Sequence, residues 1–258
     1  MVGRTDPVLT VKGSGPGLVL AHGGGGGIEA NFGPLLDDLT RTHTVVAPDL
    51  PGTGGTPRSA TPLDLDTMAD TLVETAAAAG VERFTVLGYS MGTAIGVRAA
   101  TRHPERVTGL VLTAGFARPD HRMRLAVQVW RELLKGDRRT LARFLTLVAM
   151  GEPALAALST EELEKAVSEL AGFVPEGAPE HVDLVERADT TADLPGISVP
   201  TLVVAAALDR LAPPALSREL AAGIPGAEFA EVESGHLVAA EAPDAWRAVV
   251  RAFLDRHP

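Results

Sequence analysis

The residues with the most chemistry in them are Gly88-Tyr89-Ser90-Met91-Gly92, a serine flanked at two-residue distance by glycines. A short apolar run at 84–87 leads into it and a helical pattern at 91–102 follows. A hydroxyl on such a strand-to-helix turn is presented for attack, and the glycines leave the space a sharp turn needs. The following helix points its N-terminus at the place where negative charge would develop. A small-residue turn with no chemical duty is the plainer alternative.

Serine is a poor nucleophile until a base removes its proton, and histidine is suited to that near neutral pH. His236 lies in Ser234-Gly235-His236-Leu237, a loop between a short run at 228–232 and the last helical pattern. His43, His103, His121, His181 and His257 fall in turns, helix ends or the helical middle of the chain, where solvated side chains are expected. The acid partner should follow a strand and precede the base. Asp209 does so, at the end of the apolar run 201–208, and would fix the imidazole tautomer. It could instead only cap the turn before Pro213; Asp193 and Asp120 are less well placed.

The run 18–21 ends in His22-Gly23-Gly24-Gly25-Gly26-Gly27. Consecutive glycines let backbone N–H groups approach an oxyanion, so Gly24 and Met91 are the expected donors, with Gly23 or Gly25 serving a slightly shifted loop. As a phosphate cradle the run lacks both G-x-G-x-x-G spacing and a Walker lysine. No H-E-x-x-H occurs, and His22 with distant carboxylates is not a metal pattern. The chemistry requires no metal and no organic cofactor.

Short apolar runs at 18–21, 44–47, 84–87, 107–112 and 201–207 suit strands buried on both faces of a parallel sheet. Helical patterns lie between them: 65–79 with Asp64 as cap and Gly80 as stop, 91–102, 215–222 and 243–254. The alternation predicts an α/β fold, a mostly parallel doubly wound sheet. Residues 117–192 break the rhythm. Patterns at 122–134, 138–150, 160–170 and 181–188 predict a helical lid over a core made of 1–116 and 193–258. Trp130, Phe144, Met150 and Phe173 could line a pocket there, although apolar residues on amphipathic helices ordinarily pack.

Composition narrows the partners. With 23 Lys+Arg against 33 Asp+Glu the net charge is −10, and no basic footprint for nucleic acid is visible. Acidity also disfavours a large phosphorylated substrate. The chain has no cysteine, which excludes disulfides, thiolate metal sites and a cysteine nucleophile. No apolar stretch reaches the roughly 18 residues of a membrane span. Residues 1–17 carry no apolar leader core, so a cytoplasmic protein acting on a small molecule is expected. Oligomeric state is left open.

In the order Ser90, Asp209, His236, with His22-Gly23 upstream of the serine turn, the chain resembles the α/β-hydrolase superfamily over nearly its whole length. Asp49-Leu50-Pro51-Gly52-Thr53-Gly54 resembles that family's D-x-P-G-x-G loop. The resemblance implies a lidded hydrolase fold and a serine esterase. Members with an aspartate nucleophile, epoxide hydrolases and haloalkane dehalogenases, are disfavoured by serine at position 90. The helical stretch and compact length resemble enol-lactonases and aminoacrylate hydrolases. The segment 22–32 resembles carbon–carbon hydrolases of ring-cleavage products, against which stand Leu237, where those enzymes commonly carry Trp, and a glycine loop without their Pro.

The function expected is hydrolysis of a small carboxylic ester, lactone or thioester through an acyl-enzyme on Ser90. The rivals are carbon–carbon hydrolysis, a lyase or cyclase using His236 as base, and a small-molecule receptor on the same fold.

Overall fold

Runs rich in valine and leucine pair side by side because each is apolar on both faces and finds helices above and below. In the computed structural model, which describes residues 7–258, seven strands form one sheet in the order β1-β3-β2-β4-β5-β6-β7. They are β1 (Leu9–Lys12), β2 (Gly17–Ala21), β3 (Thr44–Pro48), β4 (Phe84–Tyr89), β5 (Val107–Thr113), β6 (Thr201–Ala206) and β7 (Glu228–Val232). Only β1 is antiparallel to its neighbour. The part of the polar N-terminal stretch that falls in residues 1–6 lies outside the described residues.

Register explains why the candidate residues meet. Ala21 pairs with Gly88 at the ends of β2 and β4, so the glycine run and the serine turn emerge next to each other. Ala206 pairs with Val232 at the ends of β6 and β7, which brings the Asp209 and His236 loops together in the same way. In an open α/β sheet the crevice at the carboxyl ends of the strands is where ligands bind.

Helices cover both faces. Leu18 and Leu20 share an apolar cluster with α1 (Ile28–Leu39) and α11 (Pro243–Leu254). Val19 and Ala21, on the opposite face, join α2 (Leu65–Ala78), α3 (Met91–Arg102) and α9 (Pro214–Gly223). Asp64 caps α2 by accepting the Thr67 N–H at 2.9 Å. Between β5 and β6 stand α4 (His121–Leu133), α5 (Arg138–Ala149), α6 (Glu152–Ala157), α7 (Thr160–Phe173) and α8 (Ala178–Arg187). A short helix, α10 (Val238–Glu241), follows the His236 loop. The inner side chains Met123, Val127, Trp130, Leu141, Val182 and Val185 extend the core cluster of the α2–α3 face.

Several elements differ from the expectations above. Helix α1 escapes notice because Gly33 and Pro34 interrupt it, although Ile28, Phe32, Leu35 and Leu39 lie buried at helical spacing. Strand β1 is exposed at all four positions and carries no core signal. The middle of the chain holds five helices rather than four; α6 is six residues long and has no buried residue.

Candidate active site

Ser90 stands at φ 52°, ψ −118°, a left-handed conformation that a non-glycine residue holds only when its surroundings enforce it. The surroundings are backbone. A Cβ on Gly92 would lie 1.9 Å from the Ala21 carbonyl oxygen, and one on Gly88 would lie 2.6 Å from the Gly92 oxygen. The turn therefore presses α3 against the end of β2, and only glycine fits at these two positions. The Ser90 N–H donates to Thr113 O at 2.9 Å, which fixes the turn to β5.

The three residues expected to act together do meet. Ser90 Oγ and His236 Nε2 are 3.0 Å apart, and His236 Nδ1 lies 2.6 Å from Asp209 Oδ2. With Nδ1–H donating to the carboxylate, Nε2 is left to accept the serine proton. All three side chains are buried. Asp209 also performs the plainer duty weighed in the sequence: its Oδ1 accepts the N–H groups of Leu211 and Ala212 at 2.8 and 2.9 Å. One oxygen holds the loop and the other faces the imidazole. Asp120 caps α4 through the Met123 N–H, and Asp193 pairs with Arg98, so neither approaches the serine.

The loop bearing His236 is clamped from three sides. Tyr89 Oη donates to the His236 carbonyl and accepts the Val238 N–H at 3.4 Å. The His236 N–H donates to Ala149 O at 2.6 Å, at the end of α5. Glu241 Oε2 accepts both the Gly235 and Gly151 N–H groups, at 2.9 and 3.0 Å, tying the loop to the helical insertion. Burial pushes the Tyr89 phenol far above its ordinary range, with Asp209 and Glu241 adding to the effect. It stays a neutral hydroxyl able to donate.

In the glycine run, the amides on either side of Gly24 are occupied. Gly23 N–H donates to Asn31 Oδ1 at 2.7 Å, Gly25 N–H to His181 Nδ1 at 3.1 Å, and Gly26 N–H to Gly23 O at 3.2 Å. Gly25 takes φ +67°, and a Cβ there would meet the Trp130 ring at 2.6 Å. Neither Gly24 N–H nor Met91 N–H has an acceptor among the described residues. Gly24 borders the same cavity as Ser90.

His22 and His181 lock this loop from below and above. His22 Nε2 accepts the Leu50 N–H at 3.0 Å while its Nδ1–H donates to Gly23 O at 2.9 Å. His181 Nε2–H donates to Pro51 O at 3.0 Å. Desolvation lowers both histidines from 6.5 to about 4, so both are neutral. The expectation that His181 and His43 are solvated is overturned. His181 is fully buried because α8 turns that face, with Val182 and Val185, onto the core, and His43 is 6% exposed. The 49–54 loop is structural: Asp49 Oδ1 accepts the Ile28 N–H at 3.3 Å and Gly52 N–H bonds back to Thr56 O.

A cavity of about 160 Å³ opens on Ser90 and His236. Met123, Val127, Trp130, Leu145, Leu170 and Phe173 from the insertion give it an apolar wall, and no Asp, Glu, Lys or Arg lines it. Of the four lid residues singled out in the sequence, Trp130 and Phe173 border the cavity; Phe144 packs against the core cluster, and Met150, the C-cap of α5, does not line the cavity. Asn31, Tyr89, His181 and Glu241 are the participants that sequence reasoning passed over. Tyr89 had one signal, as the single tyrosine of the chain. Among the described residues no cluster of His, Cys, Asp or Glu could hold a metal ion, and no helix is long and apolar enough to cross a membrane.

The profile of the alpha/beta hydrolase fold family matches residues 16–243, and the chain belongs to that family of hydrolases. Pyrrolizixenacetamide deacetylase of Xenorhabdus hominickii is 31% identical over 255 residues, covering 98% of this chain and 96% of that protein. The pimeloyl-[acyl-carrier protein] methyl ester esterase of Xanthomonas oryzae pv. oryzae is 33% identical over 237 residues, 88% of this chain and 90% of the other. The enol-lactonase of Burkholderia xenovorans LB400 superposes with a TM-score of 0.84 over 97% of both chains, at 23% identity, a likeness of fold.

Proposed function

We propose that this protein is a serine hydrolase that cleaves a small carboxylic ester, lactone or thioester through an acyl-enzyme on Ser90. The observation that carries the reading is the continuous relay from Ser90 Oγ to His236 to Asp209, at 3.0 and 2.6 Å, beside two open backbone N–H groups. His236 Nε2 takes the serine proton as Oγ attacks the carbonyl carbon. The Gly24 and Met91 N–H groups receive the oxyanion, and loss of one such donor costs about 3 kcal/mol of barrier. Collapse breaks the bond to the leaving oxygen or sulfur, which takes the proton from His236; an ester or thioester releases it as alcohol or thiol, and a lactone keeps it as a hydroxyl on the acyl chain. A water, deprotonated by the same imidazole, then releases the acid. Asp209 stabilises the imidazolium.

The helical insertion acts as a lid in this account, since it supplies most of the apolar wall above the serine. The deacetylase relative supports a second bond type, an N-acyl link, for which His236 would protonate a departing amine by the same route. Carbon–carbon hydrolysis gains no support from either curated relative described above. Hydrolysis of p-nitrophenyl acetate and butyrate tests the reading: turnover by the wild type that is lost in both Ser90→Ala and His236→Ala is expected. Base chemistry surviving Ser90→Ala but not His236→Ala would mark a lyase, and tight ligand binding without turnover a receptor.

A further inference from the structure

The apolar cavity at Ser90 has a neighbour. A second cavity, of about 660 Å³, adjoins it, and the two share Gly26, Ala30 and Phe173 as lining residues. Their walls differ in kind. The inner one carries no carboxylate, ammonium or guanidinium. The outer one is bordered by Lys12, Arg58 and Arg138 and by Glu29, Asp49 and Glu176, three charges of each sign. Phe173, the last residue of α7, has the one large side chain among the three shared residues, and its ring tip lies near Gly27, where a Cβ would stand 3.8 Å from Cζ. Arg138 Nη1 donates to Val174 O at 3.1 Å and so fixes the backbone next to that ring. Phe173 is 45% exposed, an apolar side chain left at a boundary rather than packed into the core.

Resting on the serine hydrolase reading, we propose that the substrate has two unlike halves, separated at Phe173. The inner chamber takes a compact, uncharged, apolar acyl group, and the outer chamber takes a larger polar leaving group. An inner volume of about 160 Å³ is close to that of a cavity holding benzene, so the acyl group, carbonyl included, has about six non-hydrogen atoms. A carboxylate there would be desolvated with no cation to pair it, which excludes a charged acyl chain. The order of events assigns the halves. As the Ser90 Oγ–carbon bond forms and the bond to the leaving group breaks, the leaving oxygen or nitrogen takes the proton held by His236. That half must depart while the acyl half stays on Ser90, and the wetter, mixed-charge chamber is its exit.

Fluorophosphonates bearing methyl, butyl or decyl chains on phosphorus test this on the full-length protein, because the chain occupies the acyl position and the phosphorus reports directly on Ser90. The butyl probe should label fastest, with the decyl probe and a butyl chain ending in carboxylate each at least about tenfold slower. Phe173→Ala should raise the decyl-to-butyl ratio about fivefold by joining the chambers. Phe229→Ala, an exposed phenylalanine on β7 that lines neither cavity, should leave the ratio unchanged. Glycerol monobutyrate should be hydrolysed at least as efficiently as butyl butyrate. Equal labelling by butyl and decyl probes, or a ratio indifferent to Phe173→Ala, would overturn the partition while leaving Ser90 a nucleophile. Absence of labelling by every probe would remove the hydrolase reading and the partition with it.

Discussion

His181 Nδ1, on the helical insertion, accepts the N–H of Gly25 in the loop that leaves β2, at 3.1 Å. The other ring nitrogen donates to Pro51 O. One buried side chain thus ties the lid, the glycine run and the 49–54 loop together, and it consumes the amide next to Gly24. The position of the open Gly24 N–H depends on that bond.

Substitution at 181 should therefore act on the chemical step. His181→Leu strands a buried N–H and a buried carbonyl, a loss of about 1–3 kcal/mol in stability. It should also lower kcat about tenfold or more with KM little changed, since a displaced oxyanion donor weakens the transition state alone. His181→Gln offers an amide oxygen and an N–H and should recover much of both. Steady-state kinetics and thermal melts on the two variants check this.

Acid should destabilise the protein through the same histidines. His22 and His181 titrate near 6.5 when unfolded but near 4 when folded. Between those values the unfolded chain binds protons that the native state refuses. Stability from these groups is complete above about 6.5 and is lost as pH falls toward 4, on the order of 3 kcal/mol per histidine. Denaturant midpoints measured from pH 7.5 to 4 should fall accordingly, and His181→Gln should flatten the slope. A stability that holds level through this window would contradict the neutral clamp.

Asp209 separates structure from chemistry within one carboxylate. Asp209→Asn keeps an oxygen for the Leu211 and Ala212 N–H groups but presents the wrong hydrogen-bonding partner to His236 Nδ1–H. Turnover should fall by roughly a thousand- to ten-thousand-fold. Melting temperature should change little, and a matched loss of stability would show that the carboxylate serves the fold alone.

Glycine positions give opposite outcomes according to what surrounds them. Gly92→Ala forces a Cβ onto the Ala21 carbonyl, so it should cost about 3 kcal/mol or more and abolish ester turnover. Gly172, inside α7, has nothing within 4 Å of its Cβ position. Gly172→Ala should stabilise by about 0.5–1 kcal/mol through helix propensity. Thermal unfolding of the two variants reads both signs.

The serine turn, the glycine run and the strands that deliver them are legible in sequence because each needs a residue type little else supplies: glycine where backbone meets backbone, and unbroken valine and leucine where a strand is covered twice. His236 and Asp209 are legible through their place after those strands. What stays hidden depends on distant neighbours. His181 reads as one more polar residue on an amphipathic helix until α8 is laid on the glycine run 156 residues earlier. Glu241 looks solvated until Gly151 and Gly235 both turn their N–H groups toward it. Helix α1 hides behind Gly33 and Pro34, whose local preference yields to the burial of Phe32 and Leu35.

Activation of Ser90 as a nucleophile by His236 is read out by intact-mass analysis after exposure to a fluorophosphonate. A single adduct is expected, mapped to Ser90 by peptide sequencing and absent from both Ser90→Ala and His236→Ala. Folded wild-type protein that remains unmodified by probes small enough for the inner chamber, or an adduct that persists in Ser90→Ala, would contradict it.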